Sequence, residues 1–194
     1  MQSRLFPIGL AIAVSIVALA LGFGWGQGAE EQWRLAARYT ARVGLPLFLI
    51  TYSASSLVRL WPARWSRSVM RYRRQWGLSF ALTHSVHLVA LAVYNAVAGT
   101  IPTAQTLIGG GGAYALLYIM ALTSNDASVR ALGPWWRRLH TLGIHWLWFI
   151  YTFSYAGRIA DPARRAEGVI FFGLCLAALA LRIFAWRFRG REAR

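Results

Sequence analysis

Six apolar runs, each close to the length at which a helix crosses about 30 Å of hydrocarbon, limit what this chain can fold into more than any other feature. They cover Phe6 to Gly24, Val43 to Leu60, Gly77 to Val97, Gln105 to Thr123, Trp135 to Tyr155 and Val169 to Trp186. Inside lipid every backbone N–H and C=O must find its partner within the protein, and a helix satisfies all of them within one segment. The expectation is an all-α fold, a single domain over residues 1–194 built as a polytopic bundle of six transmembrane helices. Composition agrees, because 57% hydrophobic and 14% charged residues are too apolar a mixture for a soluble domain of 194 residues. The first run, preceded by Arg4, has some features of a secretory signal. It exceeds the usual apolar core of about 7 to 15 residues, and keeping it as a helix gives an even number of crossings.

The formal net charge is +15, and all 21 basic residues are arginine. Such a balance often marks a nucleic-acid partner, but here the arginines lie between apolar runs instead of on one soluble face, which excludes that class. They serve as topology signals and lipid headgroup partners. One side collects Arg4, Arg59, Arg64, Arg67, Arg71, Arg73, Arg74, Arg130, Arg137, Arg138, Arg182, Arg187, Arg189, Arg191 and Arg194, which is 15 of the 21. The other has Arg34, Arg38, Arg42, Arg158, Arg164 and Arg165, diluted by Glu30, Glu31, Asp161 and Glu167. The positive-inside rule puts the first side, and with it both termini, in the cytoplasm. Arg34, Arg38 and Arg42 recur every four residues, which suits an interfacial helix leading into the second span or an ordinary solvated turn of helix. Gly109 to Gly112 suggests close packing or a loop at the bundle end, since neither a strand nor a Lys-Ser/Thr accompanies it as a nucleotide cradle would require.

Four histidines carry the chemistry. His84 and His87 lie in the third run, His140 and His145 in the fifth. At 1.5 Å per residue the first pair sits roughly 12 and 17 Å past Trp76, the second roughly 7 and 15 Å past Trp135. Imidazoles at such depth cost solvation energy unless they are bonded or bound, so they mark a functional site by default. Two histidines on each of two helices can grip one plate-like ligand, and bis-imidazole ligation holds a low-spin haem with no open position. The single cysteine, Cys175, excludes disulfides and four-thiolate clusters, and no Cys-x-x-Cys-His permits covalent attachment, so the haem would be of b type. The depth window suits about one per chain. Arg71, Arg73, Arg74, Arg137 and Arg138, at the starts of the same two helices, are candidates to pair with its propionates.

The alternative is a non-redox scaffold or lipid-binding helical bundle in which the histidines are interhelical hydrogen-bonding groups. Glu30, Glu31, Asp126, Asp161, Glu167 and Glu192 all fall in loops or tails, which argues against an ion-coupled transporter, since those need an acid in the membrane. No Ser-His-Asp, His-Glu-x-x-His or Gly-x-Ser-x-Gly pattern supports hydrolysis, and no Gly-x-Gly-x-x-Gly offers a dinucleotide site.

The segments RYRRQWGLSFALTHSVHLVALAVYN, Arg71 to Asn95, and LTSNDASVRALGPWWRRLHTLGIHWLW, Leu122 to Trp148, resemble the ferric reductase-like transmembrane domain family. Within it they look most like the haem-binding membrane subunits of bacterial periplasmic methionine sulfoxide reductase systems. The resemblance covers about Val43 to Tyr155. It rests on Arg-Arg-x-x-Gly before the third span with a histidine ten residues after Gly77, on the Thr-Ser…Arg-x-Leu-Gly…Trp loop, and on the pair Leu139-His140. It implies a haem b protein of the bacterial inner membrane, the electron-transfer subunit of an oxidoreductase, with His87 and His140 as iron ligands; His84 and His145 lie off the family's pattern and are candidates to substitute for them. It also implies donors such as a quinol or a cytosolic flavin reductase, with FMN or a quinone as an associated cofactor, and a periplasmic reductase or metal as acceptor. The family's further histidine about thirteen residues after Leu-His is Phe153 here, a departure that bears on a second haem.

Overall fold

A computed structural model describes residues 4–189, with the side chains of Phe188 and Arg189 excepted; Arg191, Glu192 and Arg194, which entered the charge argument, lie outside. The described residues contain helices and no strand. They are α1 (Phe6–Trp25), α2 (Ala29–Leu60), α3 (Arg64–Arg71), α4 (Arg73–Val97), the short α5 (Ala104–Thr106), a π-helical segment (Leu107–Gly111), α6 (Gly112–Leu122), α7 (Asp126–Leu132), α8 (Pro134–Arg158) and α9 (Arg165–Arg189). Five stretches are long and apolar enough to cross a membrane: α1, α2, α4, Ala104–Leu122 and α9. The sixth expected span, α8, is 25 residues long but carries His140, His145, four tryptophans and two tyrosines, which leave it less apolar than the rest.

The helices cluster into two units, Met1–Thr51 with Tyr72–Ile108 and Tyr52–Arg71 with Gly109–Arg194. In the first, α1 buries Pro7, Ala11, Ser15, Ala18 and Gly22 while Ile12, Ile16 and Val17 are exposed. Small residues face inward because nothing apolar is gained by exchanging lipid for leucine, whereas close backbone approach gains dispersion and polar contacts. Ser15 Oγ donates to Thr83 Oγ1 (3.2 Å), and the Phe6 ring meets Trp76 edge-on, so α1 and α4 run parallel. The N-terminal part of α2 runs against both, with Phe23 against Trp33 and Phe48 against Phe80. In the second unit α6 and α9 run antiparallel to α8, and α9 runs parallel to the last turns of α2. The side chains that show this are Trp148 Nε1 donating to Cys175 O (2.9 Å), Arg158 paired with Glu167 (2.8 Å), Arg182 donating to Tyr52 O (2.8 Å) and Arg59 donating to Ala185 O (3.0 Å).

Two local expectations change. No separate interfacial helix precedes the second span: residues 30–42 are the first turns of α2, which continues for 32 residues past Pro46. The reason is packing, since Ala36, Ala37 and Thr40 on that stretch are buried, the two alanines against Ala90. The glycine patch is neither loop nor cradle. Gly109 to Gly111 complete the π-helical turn, a Cβ on Gly109 would stand 3.3 Å from Ile150, and the Gly109 carbonyl accepts a bond from Trp146 Nε1 (3.3 Å). Close packing is what Gly109 provides, whereas an added Cβ on Gly110 or Gly111 would meet nothing within 4 Å.

Candidate functional site

On α4, His87 Nδ1 lies 2.9 Å from Ala37 O and 3.3 Å from Thr40 Oγ1, both on α2. A carbonyl can only accept, so the proton sits on Nδ1 and Nε2 carries the lone pair. Thr40 is fully buried and donates to Ala36 O (2.7 Å), which leaves its oxygen lone pairs toward the imidazole. This is how metal-ligating histidines are ordinarily oriented, the distal nitrogen turned to the ligand by a bond made at the other. His84, one turn earlier, is 9% exposed, with its ring 4.6 Å from Phe80 and 5.2 Å from His87.

On α8 the two histidines differ. His145 Nδ1 lies 2.7 Å from Thr141 O, four residues back, which again assigns the lone pair to Nε2. Its ring meets the edge of Tyr52 at 5.7 Å. His140 has a carbonyl at each nitrogen, Trp136 O at 3.0 Å from Nδ1 and Met120 O at 3.2 Å from Nε2, and it stacks on the Trp136 ring with centroids 3.8 Å apart. Of the two, His145 has the ligand's posture and His140 the posture of a cross-helix clasp.

The five expected propionate partners start their helices or end the one before. Arg71 closes α3, Arg73 and Arg74 open α4, and Arg137 and Arg138 occupy the first turn of α8, where Arg138 lies 4.6 Å over the Trp135 ring. A sixth arginine was hidden in the charge count. Arg182, half-buried in α9, donates to Tyr52 O and holds its guanidinium 4.5 Å over the Tyr52 ring, the ring that meets His145. Its one sequence signal is that it interrupts the apolar run five residues before Arg187.

The Thr-Ser…Arg-x-Leu-Gly…Trp loop builds the start of α8. Asn125 Oδ1 accepts from Ser128 N–H (2.8 Å) and caps α7, and Gly133, at φ +50°, makes the reversal that puts Pro134 in the first turn of α8. Trp136 Nε1 then donates to Thr123 O (2.8 Å), one of the carbonyls left over where α6 ends. Among the described residues no three of His, Cys, Asp or Glu gather as a metal ion bound by protein groups alone would need. Taken separately, each within its own unit, His87 and His145 have Nδ1 held by a backbone carbonyl, the arrangement that orients a ligating imidazole. No family model matches the chain, and neither does any solved structure.

Proposed function

We propose that this chain is a six-span b-type cytochrome of a bacterial inner membrane, relaying electrons from a quinol or a flavin reductase to a partner protein or metal on the far side. The observation that carries it is the shared posture of His87 and His145, each held at Nδ1 by a backbone carbonyl, which assigns the lone pair to Nε2. His87 in one unit and His145 in the other would each offer an imidazole nitrogen to haem iron, and iron that holds two such nitrogens has no position left for oxygen. Haem supplies a one-electron couple when bound. The carbonyls of Ala37 and Thr141 fix which nitrogen carries the proton, and the exposed Arg64, Arg67 and Arg71 of α3 offer a basic surface to an acidic partner or a flavin phosphate.

Counting α8 as a span is supported by how its polar atoms are spent. Trp136, Trp146 and Trp148 donate to carbonyls of neighbouring segments, His145 to Thr141 O, and Thr152 to Trp148 O (2.7 Å), so none of these groups needs water. Six crossings with 15 of 21 arginines on one side would favour a cytoplasmic side for both termini. Reporters fused at either end should be active in their cytoplasmic form only, and a periplasmic C-terminus would refute the orientation.

The purified protein should be red, with a Soret band and about one haem b per chain by pyridine haemochrome. NADPH alone should leave it oxidised, because hydride transfer needs a flavin and a dinucleotide site that the short loops here do not build. Added quinol or a flavin reductase with NADPH should reduce it. Colourless protein after expression with haem supplied would favour the second reading, a non-redox bundle with histidines as interhelical hydrogen-bonding groups, to which the clasp at His140 points.

A further inference from the structure

We propose that Arg182 is the anchor for a carboxylate of the haem held by His145, an inference that rests on the cytochrome reading above. Arg182 lies within the apolar run of α9, where a charge is costly and is kept for a partner. Its guanidinium has five N–H donors, and the partners it has are one carbonyl, Tyr52 O, and the face of the Tyr52 ring. Among the described residues no carboxylate pairs with it. The acids on the other helices of its unit stand at helix ends: Asp126 opens α7, and Asp161 and Glu167 flank the turn between α8 and α9.

What stands beside Arg182 is an imidazole. Tyr52 lies between them, fully buried, with Arg182 over its face and His145 at its edge. The antiparallel pairing of α8 and α9, Arg158 with Glu167 and Trp148 with Cys175, brings Arg182 level with Thr141 when continued along both helices. Thr141 is the residue whose carbonyl orients His145, one turn away. A cation without an acid, on the same Tyr52 ring as a nitrogen posed as a ligand, suits a molecule that offers a metal to the imidazole and a carboxylate to the guanidinium. Haem has both, and the planar fork of arginine matches a carboxylate through two parallel bonds.

The test compares wild type, Arg182→Lys and Arg182→Gln as full-length purified proteins. Each is stripped and titrated with haem b or with its dimethyl ester, which keeps the iron and removes both carboxylates. Arg182→Gln should bind haem at least about tenfold more weakly and Arg182→Lys by less, as for loss of a charge-assisted bond. Wild type should bind the ester about as weakly as Arg182→Gln binds haem, and the two proteins should bind the ester equally. Equal affinity of wild type and Arg182→Gln for haem would overturn the proposal, as would a penalty that persists with the ester, the result expected if Arg182 instead holds a lipid phosphate or the fold. If Arg182→Gln fails to fold, wild type binding the ester as tightly as haem overturns it alone. Wild type that takes up no haem overturns the cytochrome reading as well, whereas haem uptake indifferent to Arg182 leaves that reading standing.

Discussion

His87→Ala is expected to abolish the six-coordinate low-spin spectrum. The imidazole is held by Ala37 O, with Thr40 Oγ1 alongside, and alanine leaves no donor at that place; the His84 ring is packed against Phe80 one turn away. His145→Ala should do the same from α8. His140→Ala should keep the spectrum and instead loosen α6 from α8, because its Nε2 lies 3.2 Å from Met120 O on α6. Losing that clasp should cost about 1 kcal/mol of stability. Absorption and electron paramagnetic resonance spectra of the three variants decide the ligands. A colourless His140→Ala beside an intact His145→Ala would give the axial place to His140, the residue that the family resemblance selects.

The second large effect is on stability. A Cβ at Gly22 would stand 2.5 Å from Ala36 N and 2.7 Å from Ala36 Cα, and both are backbone atoms that cannot swing aside. Gly22→Ala must therefore push α1 off α2, at a cost of about 3 kcal/mol, the upper end of what overpacking does to a tight core. Gly9→Ala and Gly173→Ala, with nothing within 4 Å of the added carbon, should be close to neutral. Gly143→Ala should fall between, because the obstacle is the flexible thioether of Met120. Thermal unfolding of the four variants in detergent, followed by loss of helical signal or by exposure of Cys175, reads the order directly. A Gly22→Ala protein as stable as Gly9→Ala would show that the two helices are not seated as described.

The helices themselves were legible, because a run such as Phe6 to Gly24 permits nothing else in lipid. Their ends and continuity were less so. Gly44 and Pro46 look like punctuation, yet α2 passes through both, since its alanine face at Ala36 and Ala37 is fastened on the far side of them. The tryptophans of α8 carry no partner in their spacing. Three of them donate to specific carbonyls, at the end of α6, in the π turn and on α9, pairings that depend on which helices are neighbours and so leave no mark on local composition. Among the site residues, spacing found the four histidines but could not rank them. The ranking comes from what lies opposite each ring nitrogen, residues as remote in sequence as Ala37 from His87 and Met120 from His140. Arg182 was read as one more cytoplasmic charge for the same reason, as its ring partner Tyr52 is 130 positions away.

At 32 residues, α2 measures about 48 Å along its axis, against about 30 Å of hydrocarbon. The surplus of roughly 18 Å must be taken up by tilt, by local thickening of the lipid or by protrusion. α1 is fastened to α2 through Gly22 at Ala36 and through Phe23 at Trp33, and the Arg34 to Arg42 arginines occupy the stretch around those contacts. Bilayer thickness therefore acts on this helix as a mechanical load. Each 1.5 Å added to the membrane draws about one more residue of α2 into lipid, and the charged side chains on this stretch are Arg34, Arg38 and Arg42, three, one and five residues from the Ala37 whose carbonyl orients His87.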